Sequence, residues 1–131
     1  MEKKQKLFLD DERKPSDVSM YLKHEAYKTD NDWEMVKNFE EFRRFIIDNE
    51  MPEMISFDHD LDREHYPYTI EQYIPYSEFK IQTGYHCLLW LVLYCKENGV
   101  RLPEIMIHTM NREGENNMRN LIDAYYLLGF E

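Results

Sequence analysis

The sequence predicts a three-layer α/β domain built on a mainly parallel sheet, and three observations predict it. Short apolar runs that read as strands alternate with longer segments of helical periodicity. Two of those runs, at 6–9 and 54–57, end in carboxylates, as "LFLDD" and "ISFDHDL". The length of 131 residues suits a single domain over 1–131 and leaves little room for a second.

The elements follow in order. Lys6 to Leu9 is an apolar strand closed by Asp10 and Asp11. Pro15 breaks the chain, and "SDVSMYLKH" holds a short helix beginning at Ser16 or Asp17. "DWEMVKN" alternates as a second strand. Asn38 with Glu41 makes a capping-box-like start, after which Phe39, Phe42, Phe45 and Ile46 mark one face of a helix to about Asn49. Pro52 ends that element, and Met54 to Phe57 is a third strand that delivers Asp58, His59 and Asp60 at its tip.

Between Asp62 and Thr83 periodicity fails, and two prolines and four tyrosines fall among scattered charges. Such a stretch is long for a structureless connection. It reads as an insertion at about 62–83, either a lid or binding loop or a surface segment packed by its own aromatics. Thr83 opens the clearest helix, with Tyr85, Leu88, Leu89, Val92 and Leu93 on one face and Cys87, Trp90, Leu91 and Tyr94 on much of the other. Being apolar nearly all round, it is expected to be largely buried, and Gly99 stops it. After Pro103, "EIMIHT" is a fourth strand ending at His108 and Thr109; Asn111 to Gly114 is a turn, and Met118, Leu121, Ile122 and Tyr125 recur at helical spacing until Gly129. In a flavodoxin-like arrangement the strand order is 2-1-3-4, with a vestigial fifth strand beyond Gly129.

Composition narrows the function. With 16 Lys+Arg against 26 Asp+Glu, the net charge of -10 opposes tight, sequence-independent binding to long DNA. Any nucleic-acid ligand has to be met locally. The N-terminus lacks the apolar stretch of a signal peptide, and no run of about 18 apolar residues occurs, so a soluble, cytoplasmic protein is expected. Cys87 and Cys95 fall eight residues apart in one helix, roughly 12 Å at 1.5 Å per residue, too far for a disulfide. They read as core thiols of a reducing compartment.

The predicted sheet concentrates the chemistry. Strands one and three lie side by side at the topological switch point, and ligands bind beyond their carboxyl ends. Asp10, Asp11, Asp58 and Asp60 therefore converge, and their mutual repulsion calls for a cation. Oxygen ligands of this kind suit Mg²⁺ or Mn²⁺; the bland alternative is that the aspartates cap helices and loops. His108 and His59 are the candidate proton movers, His59 lying on the opposite strand face from Asp58 and Asp60, and Thr109 arrives at the same edge. Asn111, Arg112 and Gly114 belong to a polar turn into a helix N-terminus, where free N–H groups favour phosphate. Arg13 adds positive charge.

"LFLDDERKP" at 7–15, "ISFDHDL" at 55–61, "TGYHCLLWL" at 83–91 and "IHTMNREGENN" at 107–117 together resemble the cyclic-phosphate-processing receiver-like domain family, a relative of two-component receivers. The resemblance spans nearly the whole chain. It implies a receiver-type fold with an acidic metal pocket and a role in processing cyclic phosphate ends of RNA or nucleotides, in a bacterial or phage-infected cell. It also implies that the receiver acidic pair falls on Asp10 and Asp11, the phosphoacceptor position on Asp58 and the small hydroxyl position on Thr109. Other features depart from receivers: no lysine follows a fifth strand, and the histidines, Asp60 and the tyrosine-bearing insertion are additions. Phosphorelay signalling is disfavoured accordingly.

Two functions follow as expectations. One is a Mg²⁺- or Mn²⁺-dependent phosphoesterase in which Asp10, Asp11, Asp58 and Asp60 hold the metal, His108 shuttles a proton, and Tyr66, Tyr68, Tyr73 and Tyr76 stack on a base. The other is a non-catalytic receiver-like module that contacts another protein, such as a phage-encoded inhibitor. A haloacid-dehalogenase-like phosphatase matches only superficially, because the Asp-x-Asp of "SFDHDL" comes at the third strand.

Overall fold

The computed structural model describes residues 5–62, 64–65 and 74–128. Four parallel strands, β1 (Lys6–Leu9), β2 (Trp33–Val36), β3 (Met54–Phe57) and β4 (Glu104–Ile107), form one sheet in the order β2-β1-β3-β4. Helices α1 (Pro15–Val18), α2 (Phe39–Asp48), α3 (Gly84–Asn98) and α4 (Arg112–Leu127) connect or follow them. This is the expected strand order. The vestigial fifth strand beyond Gly129 lies outside the described residues.

Strand alternation divides the core in two. Leu7, Leu9, Ile55, Phe57 and Ile107 face the cluster completed by Phe42 and Ile46 of α2, Leu88 and Leu91 of α3, and Met118 and Tyr125 of α4. Phe8 and Met54 point the other way, onto Val18, Tyr27 and Trp33. Among the described residues that second layer is thin, built from α1 and a 3₁₀ turn at Glu25–Lys28, which the sequence reading did not anticipate. Tyr27, stacked on Trp33 at 5.8 Å, supplies the bulk that a longer helix would otherwise bring.

Three local readings are corrected. The first helix begins at Pro15, since proline at a first helical position loses no needed N–H. The α3 helix buries Gly84, Cys87, Leu88, Leu91, Val92 and Cys95, leaving Leu89 and Leu93 exposed, so it has an outer face after all. The turn read at Asn111–Gly114 is already the start of α4, with Asn111 as its N-cap accepting from the Gly114 N–H.

The insertion is tied down wherever it is described. His65 accepts the Leu61 N–H at Nδ1 (2.9 Å) and reaches the Ile81 carbonyl from Nε2 (2.7 Å), while Glu64 accepts the Ile81 N–H (2.7 Å). Tyr76 stacks on Tyr85 of α3 with centroids 4.5 Å apart. Tyr66, Tyr68 and Tyr73 lie outside the described residues.

Candidate functional site

Register builds the site. Leu9 pairs with Phe57 and Phe57 with Ile107, so the next row brings Asp10, Asp58 and His108 side by side. The ladder continues through that row: the Asp58 N–H donates to Leu9 and the His108 N–H to Phe57, both at 2.9 Å. Alternation turns the three side chains onto the face of Phe8 and Ser56. One ligand atom from each of the three lies within 4.8 Å of the others. Asp11, Asp60, Thr109 and Asn111 join Asp10 and Asp58 around a cleft of about 220 Å³.

A cation already stands among the carboxylates. The Arg13 guanidinium contacts Asp10 Oδ2 at 3.1 Å and Asp58 Oδ1 at 3.2 Å, and it donates to the Tyr21 hydroxyl. Tyr21 in turn donates to the His108 carbonyl at 2.8 Å. Arg13, expected to bind substrate, thus serves here as the counter-ion of the acidic pair. Asp10 also accepts the Glu12 and Arg13 N–H groups, each at 2.8 Å.

The two carboxylates titrate differently. Burial, and then the charge of Asp10, pushes Asp58 up to about 7, against the opposing pull of Arg13, the His59 N–H and Thr109. Burial would raise Asp10 as well, but bonds from His108 and from the Arg13 and Glu12 backbones hold it below the usual carboxylate range. One ionised and one near-neutral carboxyl is the physical outcome of two acids sharing one pocket.

Behind Asp10 runs a buried relay. Tyr27 O–H donates to Ser56 Oγ (2.6 Å), Ser56 O–H donates to His108 Nδ1 (2.7 Å), and His108 Nε2–H donates to Asp10 Oδ2 (2.9 Å). This direction follows from a neutral imidazole: burial lowers His108 even though Asp10 pulls it up. The ring is fully buried and stacked on Phe8 at 4.3 Å. His108 therefore does not open into the cleft, and it reaches a ligand there only through Asp10 or by giving up that bond.

His59 does not join the pocket either. Its ring turns toward α4 and bridges Asp60 Oδ1 (2.6 Å) to the Tyr76 hydroxyl (2.8 Å). The opposite-face expectation holds for Asp58, but Asp60 reaches back to the ring. Asn111 is near both, donating to Asp60 at 3.1 Å. Gly114 packs directly on this ring: a β-carbon there would stand 2.5 Å from the His59 Cγ. Its N–H is spent on Asn111, so Gly114 is a packing residue and offers no free donor to phosphate. Arg112 is exposed and does not line the cleft.

Sequence reasoning missed four contributors. Ser56 had a readable signal, as the one hydroxyl in the buried strand "MISF". Gly84 had a weaker one, in the "TG" that opens α3: a β-carbon there would meet the Asp58 carbonyl oxygen at 1.7 Å, so only glycine lets α3 start against the β3 tip. Tyr21 and Tyr27 had none, because their contacts are made across the fold.

A 2-1-3-4 parallel sheet with carboxylates at its switch point defines a receiver-like α/β domain. The chain matches the cyclic-phosphate processing receiver domain family over residues 5–124, and it belongs to that family. No curated protein and no solved structure matches it. No helix among the described residues is long and apolar enough to cross a membrane.

Proposed function

We propose that this domain is a metal-dependent phosphoesterase acting on cyclic phosphate ends of RNA or nucleotides. One observation carries the reading: Asp10, Asp58 and His108 meet in a single register row at the switch edge, next to a cleft of phosphate size. The donor set fits a hard dication such as Mg²⁺ or Mn²⁺, because hard oxygens dominate it and Asp58 is destabilised as an anion without more positive charge. Asp10 and Asp58 would hold the ion, with Asp11 and Asp60 at hand in the same cleft. When bound, it supplies Lewis acidity toward a phosphoryl oxygen or a water.

The chain's own residues do the rest. Opening a cyclic phosphate adds water to phosphorus and releases one ribose oxygen, so one proton must travel from that water to that oxygen. A bound dication would hold Asp58 ionised, so the Asp10–His108 pair is the group able to carry it. Ser56 and Tyr27 hold the His108 tautomer. Thr109 bonds to Asp58 and caps the Asn111 N–H at 3.1 Å, fixing the wall where the phosphate sits. Arg13, on the rim, is placed to swing from the carboxylates to an arriving anion.

A second reading, a non-catalytic module that contacts another protein, is favoured by one feature: Arg13 already bridges both carboxylates, beside Met110, which is 70% exposed. The two part in a turnover assay. Nucleoside 2′,3′-cyclic phosphates and cyclic-phosphate-ended RNA are incubated with and without Mn²⁺, alongside Asp58→Asn. Metal-dependent ring opening lost in the variant supports the enzyme; no turnover with any dication rejects it.

A further inference from the structure

We infer that a second cavity, across the first turn of α4 from the acidic cleft, is a nucleobase subsite that prefers guanine; this rests on the nucleotide reading above. The cavity is about 510 Å³, more than twice the acidic cleft and large enough for a planar ring system. The stacked pair Tyr76 and Tyr85 forms one wall, and Leu121 and Ala124 of α4 form an apolar floor.

Two properties make this a site rather than a crease. The first is rigidity. The Tyr76 hydroxyl is held by His59 Nε2 at 2.8 Å and by Asn117 Nδ2 at 2.9 Å, so its ring meets a ligand with little freedom left to lose. The second is polar selectivity. The side chains of Glu113 and Asn120 line the same cavity and make no hydrogen bond among the described residues. A carboxylate only accepts, so Glu113 suits a base edge with adjacent N–H donors. Guanine offers a ring N–H beside an exocyclic amine; uracil has a single ring N–H and adenine only the amine.

The two cavities are coupled by covalent and hydrogen-bonded geometry. Asn111, the α4 N-cap, lines the acidic cleft, and Glu113, two residues on, lines the second cavity. Asp60 in the cleft connects through His59 to Tyr76 in the cavity wall, by bonds of 2.6 and 2.8 Å. A phosphate in the first space and a base in the second therefore belong to one nucleotide lying across the helix start. The acidic cleft reads the phosphate, and the cavity reads the base.

The test uses the full chain and reads amide chemical shifts with guanosine, which has no phosphate, and affinities for guanosine and uridine 2′,3′-cyclic phosphates with Mn²⁺. Guanosine alone is expected to shift the amides of Tyr85, Asn120 and Ala124. Ala124→Phe, at an exposed helix position that fills the floor, should abolish those shifts, whereas Asp58→Asn should not. The guanosine cyclic phosphate should bind about tenfold tighter than the uridine one, within the discrimination a paired hydrogen-bond contact to a base edge gives, and Glu113→Gln should cancel that preference. Unmoved amides, or cyclic-phosphate binding indifferent to Ala124→Phe, overturns the subsite. Guanosine shifts without any cyclic-phosphate binding that depends on Asp58 would retain the subsite and reject the phosphoesterase reading instead.

Discussion

Asp58→Asn should stabilise the metal-free protein above neutral pH. Asp58 is raised from 3.8 to about 7 in the folded state, chiefly by burial and by Asp10. A raised folded value means the native state holds the proton more tightly than the unfolded chain does. The stability this brings is complete below 3.8 and is lost as pH climbs through about 7. The full displacement corresponds to roughly 4 kcal/mol against the ionised form, as a ceiling. The amide keeps the carbonyl that accepts the His59 N–H at 2.8 Å, but it weakens the contact with Arg13. Setting one against the other leaves roughly 2 kcal/mol, or roughly 6–10 °C in Tm for a chain of this length. Thermal melts of both proteins at about pH 5 and about pH 8, in chelator, measure it: the variant's advantage should appear only at the higher pH. Mn²⁺ should then raise the Tm of the parent and not of the variant. A variant equally destabilised at both pH values refutes the reasoning, because Asp58 would then be an ordinary ionised partner of Arg13.

Other outcomes follow from the same geometry. Arg13→Ala removes the internal cation, so the metal-free protein should melt lower at about pH 8 while the Mn²⁺-induced rise in Tm grows beyond the parent's; an unchanged rise means Arg13 and the dication do not compete for the carboxylates. Ser56→Ala leaves the Tyr27 hydroxyl and His108 Nδ1 without their partner in the core, which should cost roughly 1–3 kcal/mol and shift the imidazole nitrogen resonances of His108. Gly114→Ala forces a β-carbon against the His59 ring and should cost roughly 1–3 kcal/mol. Adding His59→Ala should recover part of that loss, a coupling that a double-mutant cycle in denaturant reads directly.

The sheet was legible because its strands are short apolar runs closed by charge, and the order 2-1-3-4 follows once the alternating strands and helices are arranged as in a flavodoxin-like fold. The convergence of Asp10 with Asp58 was legible for the same reason, since any parallel pairing of β1 with β3 brings those tips together. What was hidden depends on direction. Counting residues puts His59 and His108 at the edge, with His59 on the opposite face from Asp58, but what each ring meets there is set by the bulk of the facing layer. His108 points into Phe8 and Ser56, and His59 points under Gly114. The role of Arg13 was hidden because a flexible side chain three residues beyond Asp10 declares no partner in sequence. The burial pattern of α3 was misread because an all-apolar helix carries no periodic sign of which side faces water.

Arg13 is the residue through which the fold and the proposed chemistry meet. A buried pair of carboxylates cannot both ionise without a counter-charge, and the guanidinium provides it at 3.1 and 3.2 Å. That solution is incomplete, since Asp58 still stands near 7 with Arg13 in place. One unit of positive charge leaves the site short, and a dication brings two. On the proposed reading, the shortfall would make the cleft responsive to metal at neutral pH, when Asp58 gives up its proton with little cost. A dication bound there would release the guanidinium, 27% exposed on the rim, for an anion that the bare carboxylates would repel. Phosphate affinity should therefore depend on metal even where the phosphate touches only protein. Titrating inorganic phosphate calorimetrically with and without Mn²⁺ checks it, and binding of equal strength in both conditions would sink the argument.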